Sequence, residues 1–76
     1  MTRYASLEAL LAHRRALARG PRSPLLEDID NIIRSILGDE SRLVTEEPAD
    51  SAGRRHRDRA ESKLRRELIA RGVIAG

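Results

Sequence analysis

Residues 24–37 carry the sequence pattern that most constrains the fold of this chain. Seven apolar residues in this stretch fall on one arc of about 140° when they are placed on a helix with 3.6 residues per turn. They are Leu25, Leu26, Ile29, Ile32, Ile33, Ile36 and Leu37. Ser23-Pro24 supplies an N-cap and a first-turn proline, and Gly38 stands where a left-handed residue commonly ends a helix. The pattern predicts an amphipathic helix whose apolar face is buried.

A second amphipathic helix is predicted over residues 5–19, where leucines recur at helical spacing between Ser6 and the Gly20-Pro21 stop. Arg14 interrupts this pattern because it points into the same arc as the leucines. Three explanations stay open for its guanidinium group. In the first, the guanidinium reaches water while the aliphatic part of the side chain packs against the leucines. In the second, it pairs with Asp28, Asp30 or an acid of the 39–50 segment. In the third, it pairs with an acid on a partner protein.

Charge divides the remaining sequence into an acidic connector and a basic helix. Residues 39–50 contain five acids and one arginine, whereas residues 51–76 contain eight cations and three acids. We expect an irregular connector over 39–53, in which Leu43-Val44 forms a short extended piece or an extra helical turn. A basic helix is predicted over 54–71. Its inner stripe is thin, and it consists of Ala60, Leu64 and Leu68.

The 76 residues therefore predict a single small all-α domain, a helical hairpin followed by a longer basic helix. The sequence has no cysteine, which suits a reducing compartment, so we expect a cytoplasmic protein. The apolar runs are much shorter than the roughly 20 residues that cross a bilayer, and no membrane partner is expected.

The sequence offers no recognisable set of catalytic or metal-binding residues. There is no thiol nucleophile, the serines have no companion histidine, and neither His13 nor His56 has a second ligand one helical turn away. The adjacent carboxylates lie at positions expected to be exposed, where acidity is ordinary. We expect a protein that is not an enzyme and that uses no cofactor, metal or small-molecule substrate.

The leading hypothesis is a protein-interaction module, a small regulatory or accessory subunit. Its basis is the wide apolar arc of residues 25–37, which the two weaker helices do not cover completely. The seven apolar residues of that arc, together with Arg14, are the predicted partner-binding residues. The arc would then be buried in a homodimer or in a larger partner.

The alternative hypothesis is a small nucleic-acid-binding protein. On the basic helix, four cations share an arc of about 80°, and they could follow a phosphate backbone or contact the acidic surface of a partner protein. They are Arg55, Arg59, Lys63 and Arg66. Alternatively, they form a solvated face whose charge Asp58 and Glu67 partly offset. Because Tyr4 is the only aromatic residue, stacking on single-stranded bases is not expected. The position of the acidic 39–50 segment separates the two hypotheses, since acids that cover these cations would disfavour nucleic-acid binding.

Overall fold

The computed structural model describes residues 3–46 and 50–76, and its helices follow one another around a single core. Helix α1 is Leu7–Arg19 and helix α2 is Pro24–Leu37. A 3-10 turn, Gly38–Glu40, leads into the short helix α3, Ser41–Thr45, and helix α4 is Ser51–Ala70. The predicted all-α class is confirmed. The described residues extend 33 × 29 × 20 Å along the three principal axes of the molecule.

Local hydrogen bonds set the ends of the first two helices, largely where the sequence indicates them. The Ser6 hydroxyl accepts from the backbone N–H of Ala9, and α1 begins two residues later than predicted. The Ser23 hydroxyl accepts from the N–H of Leu25, with Pro24 at the first helical position. Gly38 ends α2 with φ of 59°, a backbone conformation that glycine adopts without strain.

The expectation of an irregular connector over 39–53 is wrong for most of its described part. The 3-10 turn continues directly into α3, so Leu43-Val44 forms the extra helical turn rather than an extended piece. Val44 is buried and Leu43 packs against the core, which explains why so short a helix is stable here. Residues 47–49 of the predicted connector lie outside the described residues.

Helix α4 begins at Ser51, three residues before the predicted start. The Asp50 carboxylate accepts a hydrogen bond of 2.7 Å from the N–H of Gly53, and this N-cap offsets the poor helix propensity of the glycine. The residues Ser51-Ala52-Gly53 are typical of a loop, so it is the Asp50 cap, and not the helix propensity of these residues, that starts the helix here.

The hydrophobic core draws on all four helices and on the C-terminal segment. Its α4 contribution is the predicted stripe, in which Leu64 and Leu68 are fully buried and Ala60 is 1% exposed. The remaining buried apolar residues are Leu7, Leu10, Leu11, Ile29, Ile33, Leu37, Val44, Val73 and Ile74. A stripe of only three residues is therefore enough to hold α4, because each of them lies fully inside.

The two ends of the chain meet in a short parallel bridge between Tyr4 and Ile74. The N–H of Tyr4 donates to the carbonyl of Val73, and the N–H of Ala75 donates to the carbonyl of Tyr4, both at 2.9 Å. Val73 also donates to the carbonyl of Leu68 at 2.9 Å, which is the Schellman hydrogen bond after a helix. This turn directs Val73 and Ile74 back into the core.

The Schellman turn depends on Gly72, whose φ is 75°. We expect Gly72→Ala to lower the free energy of unfolding by about 1 kcal/mol, because an L-residue is strained at positive φ. No atom lies within 4 Å of an added Cβ, so a steric clash does not contribute. Urea denaturation measures the loss. Gly20→Ala is the matched control, since Gly20 has φ of −94° and an added Cβ would make only ordinary van der Waals contacts there, 3.9–4.0 Å from two backbone carbonyl oxygens. An equal loss in this control would contradict the role of the backbone conformation.

Candidate interaction surfaces

The structure divides the apolar arc of α2 into an inner part and an outer edge. Ile29, Ile33 and Leu37 are 0–6% exposed and form part of the core. The other four predicted contact residues are only half-buried, and they are Leu25, Leu26, Ile32 and Ile36. The neighbouring elements thus cover one side of the arc, where Leu26 also lies. The accessible residues on the other side, here called the outer edge, are Leu25, Ile32 and Ile36.

This outer edge borders a groove with a volume of about 540 Å³, here called the α2 groove. Helix α1, helix α2 and both chain ends contribute to it. Its lining residues are Tyr4, Leu10, Leu25, Asp28, Ile29, Ile32 and Val73. The lining is apolar except for the Tyr4 hydroxyl and the Asp28 carboxylate, and the volume lies within the range of pockets that receive ligands or anchoring side chains.

Tyr4 is held in this groove by a hydrogen bond to His13. The Tyr4 hydroxyl lies 2.7 Å from Nδ1 of His13, and the two ring centres are 5.6 Å apart. Burial raises the pKa of the Tyr4 phenol. Sequence reasoning missed Tyr4 and Val73 as lining residues, because the chain ends are brought to the groove only by the bridge to Ile74.

Arg14 forms an ion pair with Asp30, which was one of its three predicted explanations. Its Nε donates to Oδ1 at 2.6 Å and its Nη2 approaches Oδ2 at 3.5 Å. The two side chains are 18% and 24% exposed, so the pair is largely enclosed between α1 and α2. Because the guanidinium is engaged within the chain, we do not include Arg14 in the surface proposed below.

The four predicted cations form a continuous row on the outward side of α4, here called the α4 cation row. Arg55, Arg59, Lys63 and Arg66 are all exposed. No ion pair or side-chain hydrogen bond found among residues 3–46 and 50–76 includes any of them. The row therefore presents four charges to solvent.

Other arginines of α4 are engaged within the chain. Arg57 donates to Glu61 at 3.0 Å on the same helix. Arg65 donates to Glu8 of α1, and the pKa of Glu8 is lowered first by a hydrogen bond from its own backbone N–H and then by that from Arg65. Arg57 and Arg65 are thus only partly exposed and paired, unlike the four exposed cations of the row.

The described acids of the 39–50 segment do not cover the α4 cation row. Glu46 lies 3.7 Å from Arg42 on α3, and Asp50 caps the start of α4. Asp39 and Glu40 are exposed in the 3-10 turn. The remaining acid, Glu47, lies outside the described residues. Acids of this segment that covered the cations would have disfavoured nucleic-acid binding. Since the described ones lie elsewhere, nucleic-acid binding remains compatible with the structure.

The described residues contain no group of three or more histidines, cysteines or acids placed to hold a metal ion. Within the same residues, no helix combines the length and the apolar character needed to cross a membrane. No protein-family model, curated protein or solved structure is significantly similar to this chain.

Proposed function

We propose that this protein is a non-enzymatic interaction module that forms a homodimer through the α2 groove, in the manner of a small regulatory or accessory subunit. The observation that supports this proposal is the outer edge of α2, which remains half-exposed after the chain has folded. Leu25, Ile32 and Ile36 pack partly against the core and partly face solvent. Burial of such a contiguous apolar edge against a second copy would be favourable.

The spacing of the edge residues suits a helix as the occupant. The accessible residues Leu25, Ile32 and Ile36 form a ridge at intervals of seven and four residues, a spacing that packs one helix against another. Ile29 completes the four-three-four pattern but is already buried in the core of its own chain. A second copy supplies a helix with the same ridge. In an antiparallel dimer, a two-fold axis midway between Ile29 and Ile32 brings the two ridges together, and each copy uses the same patch.

The charges beside the ridge complement each other in that arrangement. Asp28 lines the α2 groove. Ser35 lies one heptad further along the same side of α2, and its hydroxyl accepts a hydrogen bond of 3.2 Å from Arg71. With the axis described above, Asp28 comes within about 3 Å, along the helix direction, of the second copy's Ser35. Asp28 of each copy then faces Arg71 of the other, in two symmetric ion pairs.

The size of the molecule is compatible with such a dimer. A stable interface of standard size buries about 800 Å² on each partner, which is roughly 15% of the 5201 Å² surface of this chain. A smaller buried area would give a weak dimer that dissociates on dilution.

A pair of neighbouring substitutions tests the interface. We expect Leu25→Glu to convert the dimer into a monomer, because it places a charge in the α2 groove. Leu26→Glu is the matched control, since Leu26 is also half-buried on α2 but does not line the groove. Light scattering after size exclusion gives the mass, and circular dichroism checks the helical content. A wild-type chain that stays monomeric at all concentrations, or an equal effect of both substitutions, would contradict the proposal.

The proposed ion pairs allow a second arm of the same test. Asp28→Arg alone, or Arg71→Asp alone, should weaken the dimer by placing like charges opposite each other. The double variant Asp28→Arg/Arg71→Asp exchanges the charges and should restore dimerisation. A double variant that is as weak as the sum of the two single variants would exclude this geometry, even if the chain were dimeric.

A further inference from the structure

We propose that the α4 cation row binds the phosphate backbone of double-stranded nucleic acid. This inference goes beyond the homodimer, because it concerns another helix and another class of partner. Four exposed cations without an acid in ion-pair distance among the described residues are carried by a single rigid 20-residue helix. Arg57 and Arg65 of α4 donate hydrogen bonds to Glu61 and Glu8, whereas the four cations of the row make no such contact among the described residues.

The dimensions of the row match a run of phosphates. From residue 55 to residue 66 the helix rises about 16 Å, and neighbouring members lie three or four residues apart on the same face. A duplex rises about 3.4 Å per base-pair step, so the row is as long as about five steps and its four cations are far enough apart to contact separate phosphates. Three of the four cations are arginines, whose planar guanidinium groups donate to phosphate oxygens in a bidentate manner.

The surroundings of the row favour a duplex over single strands and over membrane surfaces. Single-strand binding relies on aromatic rings that stack on bases, and the only ring system of that kind, Tyr4, lies in the α2 groove. A membrane-surface helix inserts an apolar face beside its cations, whereas Ala60, Leu64 and Leu68 of α4 are buried in the core. Contacts of this kind read the backbone rather than the bases, so the binding is expected to be independent of sequence.

The salt dependence of binding measures the number of phosphates that are contacted. Four contacts on DNA predict a slope of log K against log[salt] near −3.6, and the affinity should fall about 150-fold between 50 and 200 mM salt. We expect this behaviour in fluorescence anisotropy with a labelled duplex of about 20 base pairs, long enough to cover the row several times over. Parallel titrations with duplex DNA, duplex RNA, single strands and polyglutamate distinguish the possible polyanions.

Two triple variants separate the position of the charges from their number. Arg55→Gln/Arg59→Gln/Arg66→Gln removes most of the row, and the slope should fall to about −0.9. The control, Arg15→Gln/Arg19→Gln/Arg34→Gln, changes exposed arginines of α1 and α2. Each variant lowers the formal net charge from +3 to 0, so only the placement differs. The control should keep most of the wild-type slope at an affinity reduced only modestly.

Several outcomes would overturn the inference. They are a row variant that retains the wild-type slope, an equal loss in the control variant, or tighter binding to single strands or to polyglutamate than to either duplex. Circular dichroism confirms that both variants keep their helical content. Light scattering on the same samples keeps the two proposals apart, because the row variant should leave the mass unchanged whether or not the chain dimerises, and Leu25→Glu should leave the row intact.

Discussion

Replacing Leu68 with alanine should lower the free energy of unfolding by about 3 kcal/mol, which follows from the usual cost of a Leu→Ala substitution in a core. Leu68 is fully buried near the end of α4. Its backbone carbonyl also accepts the Schellman hydrogen bond from Val73, and its side chain belongs to the same core cluster as Val73 and Ile74. The cavity would therefore weaken α4 and the bridge between the chain ends together.

The effect is large on the scale of this molecule. A chain of 76 residues has a total stability of about 4–11 kcal/mol, so a loss of 3 kcal/mol removes a substantial fraction of it. Urea denaturation followed by circular dichroism measures the change. The adjacent Ile69→Ala is the control, because Ile69 is 43% exposed and its truncation should cost less than about 1 kcal/mol. If the two substitutions lowered the free energy of unfolding equally, Leu68 would not be buried more deeply than Ile69, contrary to the structure.

Local sequence signals are sufficient to predict the first two helices of this fold. Ser6 and Ser23 cap them, Pro24 occupies the first position of α2, and Gly38 ends it, all within a turn of where the sequence places these features. Each of these signals acts through atoms only a few residues away. Sequence periodicity identifies the α4 cation row for the same reason, since its members belong to one helix.

Features that depend on distant parts of the chain are not predictable in this way. Helix α3 exists because Val44 packs against the core, and five residues are too few to form a stable helix by propensity alone. The α2 groove requires the bridge between Tyr4 and Ile74, which joins opposite ends of the sequence. Periodicity also could not show which part of the α2 arc would be covered, because that depends on how α1 and α4 pack on it.

The ion pair between Arg14 and Asp30 should contribute more than any exposed pair of this molecule. Asp30→Ala is expected to lower the free energy of unfolding by about 1–3 kcal/mol, because it leaves a guanidinium group that is 18% exposed without its partner. Glu27→Ala offers the contrast. It breaks the pair with Arg22, whose side chains are 90% and 56% exposed, and it should cost no more than about 1 kcal/mol.

A double-mutant cycle shows how much of that loss arises from the unpaired cation. Arg14→Met keeps an apolar stem of similar length and removes the charge, so the enclosed carboxylate alone should also be unfavourable. In the double variant Arg14→Met/Asp30→Ala neither charge remains, and we expect it to be more stable than the sum of the two single losses implies, by about 1 kcal/mol or more. Additive losses in thermal and urea denaturation would instead mean that the two groups do not interact, and that Arg14 contributes only through the packing of its stem.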